Sequence, residues 1–250
     1  MRKTNRVCTS LAFALIITTS ISTTLSVAEL STEALGSGLG RFNSIKVFHL
    51  DGDGSKEIIF GNYEGFVHIL EYKNNEWTLK RKSDDLGDRL WGLAVGDVDS
   101  DGDIEIVVGN GDGYVYVLDA VTLSIKWKSE DLGSDAHGIA IADVDYDGVT
   151  DIIVGTGFRT DNGYLYVFNG KNYTLKWKSG PWESKLRGIA VGDVDSDGVT
   201  EIVVGSGIGV GEGAGEGYIR IFNGQNSTLE WKSDNLGGDV EAIEISDVDS

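Results

Sequence analysis

Carboxylates at positions 1, 3, 5 and 9 of a nine-residue segment, with glycine at position 6, recur along this 250-residue chain. Three copies are clear: Asp97-Val-Asp99-Ser-Asp101-Gly-Asp103-Ile-Glu105, Asp143-Val-Asp145-Tyr-Asp147-Gly-Val149-Thr-Asp151 and Asp193-Val-Asp195-Ser-Asp197-Gly-Val199-Thr-Glu201. A degenerate copy, His49-Leu-Asp51-Gly-Asp53-Gly-Ser-Lys-Glu57, precedes them, and Asp247-Val-Asp249-Ser250 begins another. Carboxylates this close repel, by roughly 4 kcal/mol for a pair about 4 Å apart at an effective dielectric near 20. A fold that gathers four of them needs a compensating cation. The donors are all oxygen, which disfavours zinc or copper and selects a hard divalent ion. Ca²⁺, with about six to eight oxygen ligands in a flexible shell, fits best. Glycine at position 6 lets the backbone turn so that position 7, Val149 or Val199 in two copies, offers its carbonyl. His49 in place of the first Asp makes the earliest loop a weak or empty site.

What must hold these loops is read from their flanks. An EF-hand would carry Glu at position 12, where the second loop has Val108. Gly92-Leu-Ala-Val-Gly96 before the loop and Glu105-Ile-Val-Val108 after it are short and rich in β-branched residues, so the loop joins two strands. An isolated Asp-Gly would be read as a hairpin turn; the repetition of the whole pattern points to a site instead.

First-ligand positions fall at 49, 97, 143, 193 and 247. A period near 50 residues implies a propeller or solenoid. Each period reads as four strands: Trp91 to Gly96, Glu105 to Gly109, Tyr114 to Leu118 and Leu123 to Lys128 in one copy. Four short antiparallel strands per period make a propeller blade. The expected fold is all-β, four full blades and the start of a fifth. Trp77, Trp127, Trp177 and Trp231 are expected at one equivalent position, packing between blades.

At this point the chain resembles the FG-GAP/VCBS repeat family, the calcium-loop propellers that include the integrin α-subunit head. The resemblance covers about residues 41–250. It rests on the three clear loops, on Leu86-Gly87, Leu132-Gly133 and Leu236-Gly237 in the place of Phe-Gly, and on Gly109-Asn-Gly111, Gly155-Thr-Gly157 and Gly205-Ser-Gly207 in the place of Gly-Ala-Pro. The family implies seven blades, so these repeats are expected to be a fragment of a seven-bladed propeller.

The formal charge is −19, and 18 of the 40 acidic residues lie in the loops. Acidity of this kind is site chemistry, and it argues against nucleic acid, which needs basic surface. Arg2, Lys3 and Arg6, then Leu11 to Ile17, then Ser26-Val27-Ala28 read as a signal peptide over residues 1–28. A linker at 29–40 and the repeats at 41–250 follow. The apolar run is too short to span a membrane. The sole cysteine, Cys8, lies in the leader, so no disulfide stabilises the rest. The expected location is secreted or cell-surface.

Propeller geometry puts the metal loops on one face and the loops between strands two and three on the other. Trp91, His137, Arg187 and Glu241 stand at equivalent places on that second face, six residues before each first ligand, yet differ in chemistry. With Phe158, Arg159 and Trp182 they form the candidate surface for a glycan or protein ligand. No catalytic set emerges: His49, His68 and His137 fall at different places in their repeats, and no Gly-x-Ser-x-Gly appears. The leading reading is a calcium-binding adhesion module. The alternatives are the propeller of an extracellular enzyme (a polysaccharide lyase or a quinoprotein dehydrogenase) and a structural spacer of a surface protein.

Overall fold

The computed structural model describes residues 45–158, 162–182, 184–207 and 215–246. The leader reading, Arg159, Asp247 and Asp249 lie outside them. Among the described residues, sixteen strands form four antiparallel sheets of four, each in chain order. Blade one holds β1 (Ile45–Phe48), β2 (Glu57–Gly61), β3 (Val67–Lys73) and β4 (Glu76–Lys82). Blade two holds β5 (Leu90–Gly96), β6 (Glu105–Asn110), β7 (Val115–Asp119) and β8 (Ile125–Lys128). Blade three holds β9 (Ala136–Ala142), β10 (Asp151–Thr156), β11 (Leu165–Asn169) and β12 (Leu175–Lys178). Blade four holds β13 (Lys185–Gly192), β14 (Glu201–Gly207), β15 (Gly217–Asn223) and β16 (Leu229–Lys232). The sheets are the blades of a propeller, as the repeat implied. No helix among the described residues is long and apolar enough to cross a membrane.

Burial explains the composition of each strand. Every residue of β6 and β10 is buried, which is why both read as continuous apolar runs rather than alternating ones. Successive side chains point to opposite faces. Ile106 and Val108 therefore pack with Ile59 and Ile69 of blade one. Val107, between them, packs with Ile152 and Val154 of blade three. Each seam between blades is thus a hydrophobic core of its own.

The first strands stand side by side about the axis. Residues of β1, β5, β9 and β13 line one channel, together with Ile243, Glu244 and Ile245. Contact there is close enough to require glycine: a Cβ on Gly92 would lie 2.4 Å from the His137 carbonyl oxygen. The fourth strands are outermost and mostly exposed.

Two details of the strand reading change. The fourth strand of blade two begins at Ile125, because Leu123 takes φ 60° in the turn before it. The tryptophans are not all equivalent. Trp127 pairs with Val117, Trp177 with Val167 and Trp231 with Ile221, but the matching residue in blade one, opposite Ile69, is Arg81. Trp77 lies opposite Tyr72, in a longer hairpin that shifts the spacing. The packing role holds where a next blade is present. Trp127 meets Phe168 and Tyr173 of blade three, and Trp177 meets Phe222 of blade four.

Candidate metal centres and the opposite face

Each acidic loop joins the first strand of a blade to the second, and a fixed set of hydrogen bonds shapes it. The glycine at position 6 takes φ near 90°, at Gly54, Gly102, Gly148 and Gly198. Position 4 is also left-handed, at Gly52 (69°), Ser100 (61°), Tyr146 (60°) and Ser196 (65°). For a residue with a Cβ that conformation is strained, so the turn is held from outside itself. The first Asp does part of this. Asp97, Asp143 and Asp193 accept the position-6 N–H at 3.1, 3.0 and 3.1 Å. His49 cannot accept in the same way, and its Nδ1 lies 2.5 Å from the Ser55 carbonyl oxygen instead. That contact engages the position-7 carbonyl of the first loop.

Position 9 closes the loop from below. Glu57, Glu105 and Glu201 are buried and accept the N–H of Leu50, Val98 and Val194 at 3.0, 2.9 and 2.8 Å. Position 2 explains the apolar residue between two aspartates. Val98 joins the seam with blade three, and Val144 the seam with blade four. The loops also touch one another. Thr150 Oγ1 donates to the Asp97 carbonyl at 3.1 Å, and Tyr146 Oη donates to the Gly198 carbonyl at 3.1 Å.

The carboxylates converge as the spacing required. Ligand atoms of Asp51, Asp53 and Glu57, of Asp97, Asp99 and Asp101, of Asp143, Asp145 and Asp151, and of Asp193, Asp195 and Asp197 lie within 4.8 Å of one another. Buried oxygens without a hydrogen-bond partner remain in these loops: Asp97 Oδ1, Asp99 Oδ1, Asp145 Oδ1 and Glu201 Oε1. An unpaired buried carboxylate oxygen is costly, and a bound cation would satisfy each. The donor set therefore fits a metal ion. Asp103, Val149 and Val199 stand at position 7, where the main-chain N–H is taken by the carboxylate at position 5.

The sequence reading missed the lysines. Lys126 Nζ lies 2.7 Å from Asp99, 3.1 Å from Asp101 and 2.9 Å from Glu105. Lys176 lies 2.5, 3.0 and 3.0 Å from Asp145, Asp147 and Asp151. Lys80 lies 2.6 Å from Asp51 and 2.8 Å from Glu57. Each ammonium occupies the place of a cation, among positions 3, 5 and 9 for Lys126 and Lys176 and between positions 3 and 9 for Lys80. Burial pulls these lysines down, but the carboxylates outweigh it and hold each well above the ordinary lysine range. Burial pushes Asp151 up to about 6 despite Lys176. Glu201 is raised by burial first, and then by the charges of Asp195, Glu230 and Asp197. The signal in the sequence was a lysine just before Trp127 and Trp177, replaced by Glu230 before Trp231.

On the opposite face the four equivalent residues form two pairs. The Trp91 and His137 rings lie 4.9 Å apart, and the Trp91 indole donates to Asp135 at 3.1 Å. Arg187 pairs with Glu241 and lies 3.5 Å from Asp239. Trp182 is half-buried: it pairs with Gly163 of the loop before β11, its ring packs on Phe222 and Arg220, and it borders an open pocket with Tyr218 and Lys232. Phe158 is half-buried just past β10. The loops that carry Phe158 and Arg159, and the one after β14, run partly outside the described residues.

Burial pushes the Asp135 carboxyl up to about 6, against the pull of the Trp91 indole. A carboxyl raised in the folded state binds more protons folded than unfolded between about pH 4 and 6. Stability therefore falls as pH rises through that window, and the penalty is fully present above it. Asp135→Asn keeps an acceptor for the indole and removes the charge. It should raise stability at pH 7 by about 2 kcal/mol and flatten the decline, as read by urea melts at pH 4 and 7. An unchanged pH profile would contradict the raised carboxyl.

Comparison with known proteins agrees with this geometry. A search of curated proteins returned no match. Among solved structures the chain is similar to the computationally designed Ika8 protein, at 14% identity and a TM-score of 0.58, covering 81% of this chain and 53% of that one. It is also similar to a chain of the Mitotic Checkpoint Complex, at 16% identity and a TM-score of 0.57, covering 79% and 54%. The chain thus spans about half the length of either, and at such identities the likeness is one of fold. The family described as FG-GAP-like repeat matches residues 49–108 and 143–204. Both matched segments contain acidic loops with the geometry above, and over residues 49–204 the chain belongs to the FG-GAP-like repeat family.

Proposed function

We propose that this chain is an extracellular propeller stapled by calcium, which presents the face opposite its metal loops to a glycan or protein ligand. The observation that carries the reading is a contrast between the two faces. The loop geometry repeats from blade to blade, whereas the equivalent rim positions hold an aromatic pair in Trp91 and His137 and an ion pair in Arg187 and Glu241. A scaffold needs repetition, and recognition needs difference. Buried loop oxygens that lack partners support calcium in particular, because millimolar extracellular calcium suits sites of modest affinity. The leader-like segment supports export.

The test is to probe glycan and protein arrays with the labelled chain in millimolar calcium. Binding is expected, and Trp91→Phe and Arg187→Ala should each weaken it about tenfold or more; Trp91 is buried, so the conservative Phe limits the loss of packing. Undiminished binding by both variants would sink the rim as the ligand surface.

A further inference from the structure

The four loops share a motif, but their cation environments are unequal. The difference arises on the fourth strand. In each blade one residue falls at an irregularity in the pairing of strands three and four and faces the loop. It is Lys80 before Arg81, Lys126 before Trp127, Lys176 before Trp177 and Glu230 before Trp231. In the first three blades that residue supplies an ammonium to the carboxylate at position 9, at 2.8, 2.9 and 3.0 Å. In the fourth it supplies another carboxylate, whose Oε1 accepts from Asn223 at 2.8 Å.

The consequence is visible at position 9. Glu105 Oε1 and Asp151 Oδ1 are satisfied by their lysines. Glu201 is fully buried, and its Oε2 is held by the Val194 N–H. Its Oε1, the atom equivalent to those that meet lysine, is buried and has no hydrogen-bond partner. Beside it Asp193, Asp195 and Asp197 converge, and the negative charges of Asp195, Asp197 and Glu230 all act on the Glu201 carboxylate. A buried carboxylate oxygen with no donor, in the field of three further carboxylates, calls for a cation that no described residue provides there.

Charge orders the loops. Loop one carries three carboxylates against its own Lys56 and the ammonium of Lys80, net one negative. Loop three carries four carboxylates and one ammonium, net three negative, and loop two carries five and one, net four negative. Loop four carries four carboxylates, and Glu230 makes it net five negative. The attraction for a divalent ion grows with each added negative charge. A resident ammonium must also be displaced before an ion can take positions 3, 5 and 9.

We propose that Asp193–Glu201, with Glu230 beside it, is the tightest divalent-cation site of this chain. Lys80, Lys126 and Lys176 are tethered cations that compete at the other three loops. They weaken metal binding there and stabilise those loops when metal is scarce. The residue at that irregularity of the fourth strand is therefore the one that sets each blade's affinity. This deepens the calcium reading and rests on it.

Calcium titration calorimetry on the whole chain tests the ranking, with Glu230→Lys, Glu230→Gln and Lys176→Glu beside the parent. Glu230 lies on an exposed strand, so its variants keep the fold. The parent should show one calcium bound more tightly than the rest. Glu230→Lys should weaken that site by about tenfold or more, Glu230→Gln should fall between, and Lys176→Glu should create a second tight site. In excess EGTA, Glu230→Lys should melt higher than the parent, because it supplies the missing ammonium. Calcium binding by the parent that both Glu230 variants leave unchanged would overturn the ranking alone. Failure of the parent to bind calcium would overturn the ranking and the calcium reading together.

Discussion

Chelating calcium with EGTA should lower the melting temperature of this protein by about ten degrees or more. A ligand that binds only the folded chain stabilises it by about 2.7 kcal/mol per site at a hundredfold excess over Kd. For a domain of this size each kcal/mol moves the melting point by about 2–4 °C. Three loops retain the full set of four carboxylates, at Asp97–Glu105, Asp143–Asp151 and Asp193–Glu201. Each is tied to a blade seam or to another loop, through Val98, Val144 and the contacts of Thr150 and Tyr146. Releasing the ion therefore loosens the packing between blades as well as the loop. The lysines limit the loss by leaving an ammonium among the carboxylates of the first three loops. Asp145→Ala should reproduce part of the shift. Magnesium should restore little of it, since that ion demands a tighter octahedral shell and gives up its waters reluctantly. Differential scanning calorimetry with EGTA, then with calcium restored, reads all of these effects. A melting curve indifferent to EGTA and to added calcium would defeat the metal assignment.

Ile106→Ala should destabilise the protein by about 2–5 kcal/mol, the cost of lost burial plus the cavity left behind. Ile106 is fully buried on the second strand of blade two, where it packs with Ile59 and Ile69 of blade one. Its loss opens the seam between two blades rather than one sheet. Ile125→Ala is the matched control. It is an equally apolar substitution on β8, but its side chain is 51% exposed, and the expected change is within about 0.5 kcal/mol. Urea denaturation of the two variants checks both values. Equal effects would mean that the core does not lie in the seams.

Much of the scaffold was legible because its signals are local. Position 6 needs glycine for a positive φ, and the flanking β-branched runs mark strands buried on both faces. The strand order followed from the period. What escaped the sequence depends on contacts between residues distant in the chain. Lys126 reaches Glu105 across 21 residues, and no motif scan pairs a lysine on one strand with a carboxylate on another. Trp77 resembled its counterparts by spacing alone, and a longer hairpin moved Arg81 into their place. The contacts of the Trp182 ring with Arg220 and Phe222 are likewise long-range and carry no local signal. The pairing of Trp91 with His137 and of Arg187 with Glu241 follows from equivalent positions on adjacent blades, which the repeat had already supplied.

Equilibrium dialysis of the chain against radioactive calcium tests the central claim most directly. Saturable uptake of more than one calcium per chain at millimolar free ion is expected, with one ion lost when Asp193 and Asp195 are both changed to Asn. No saturable uptake at that concentration would contradict the account.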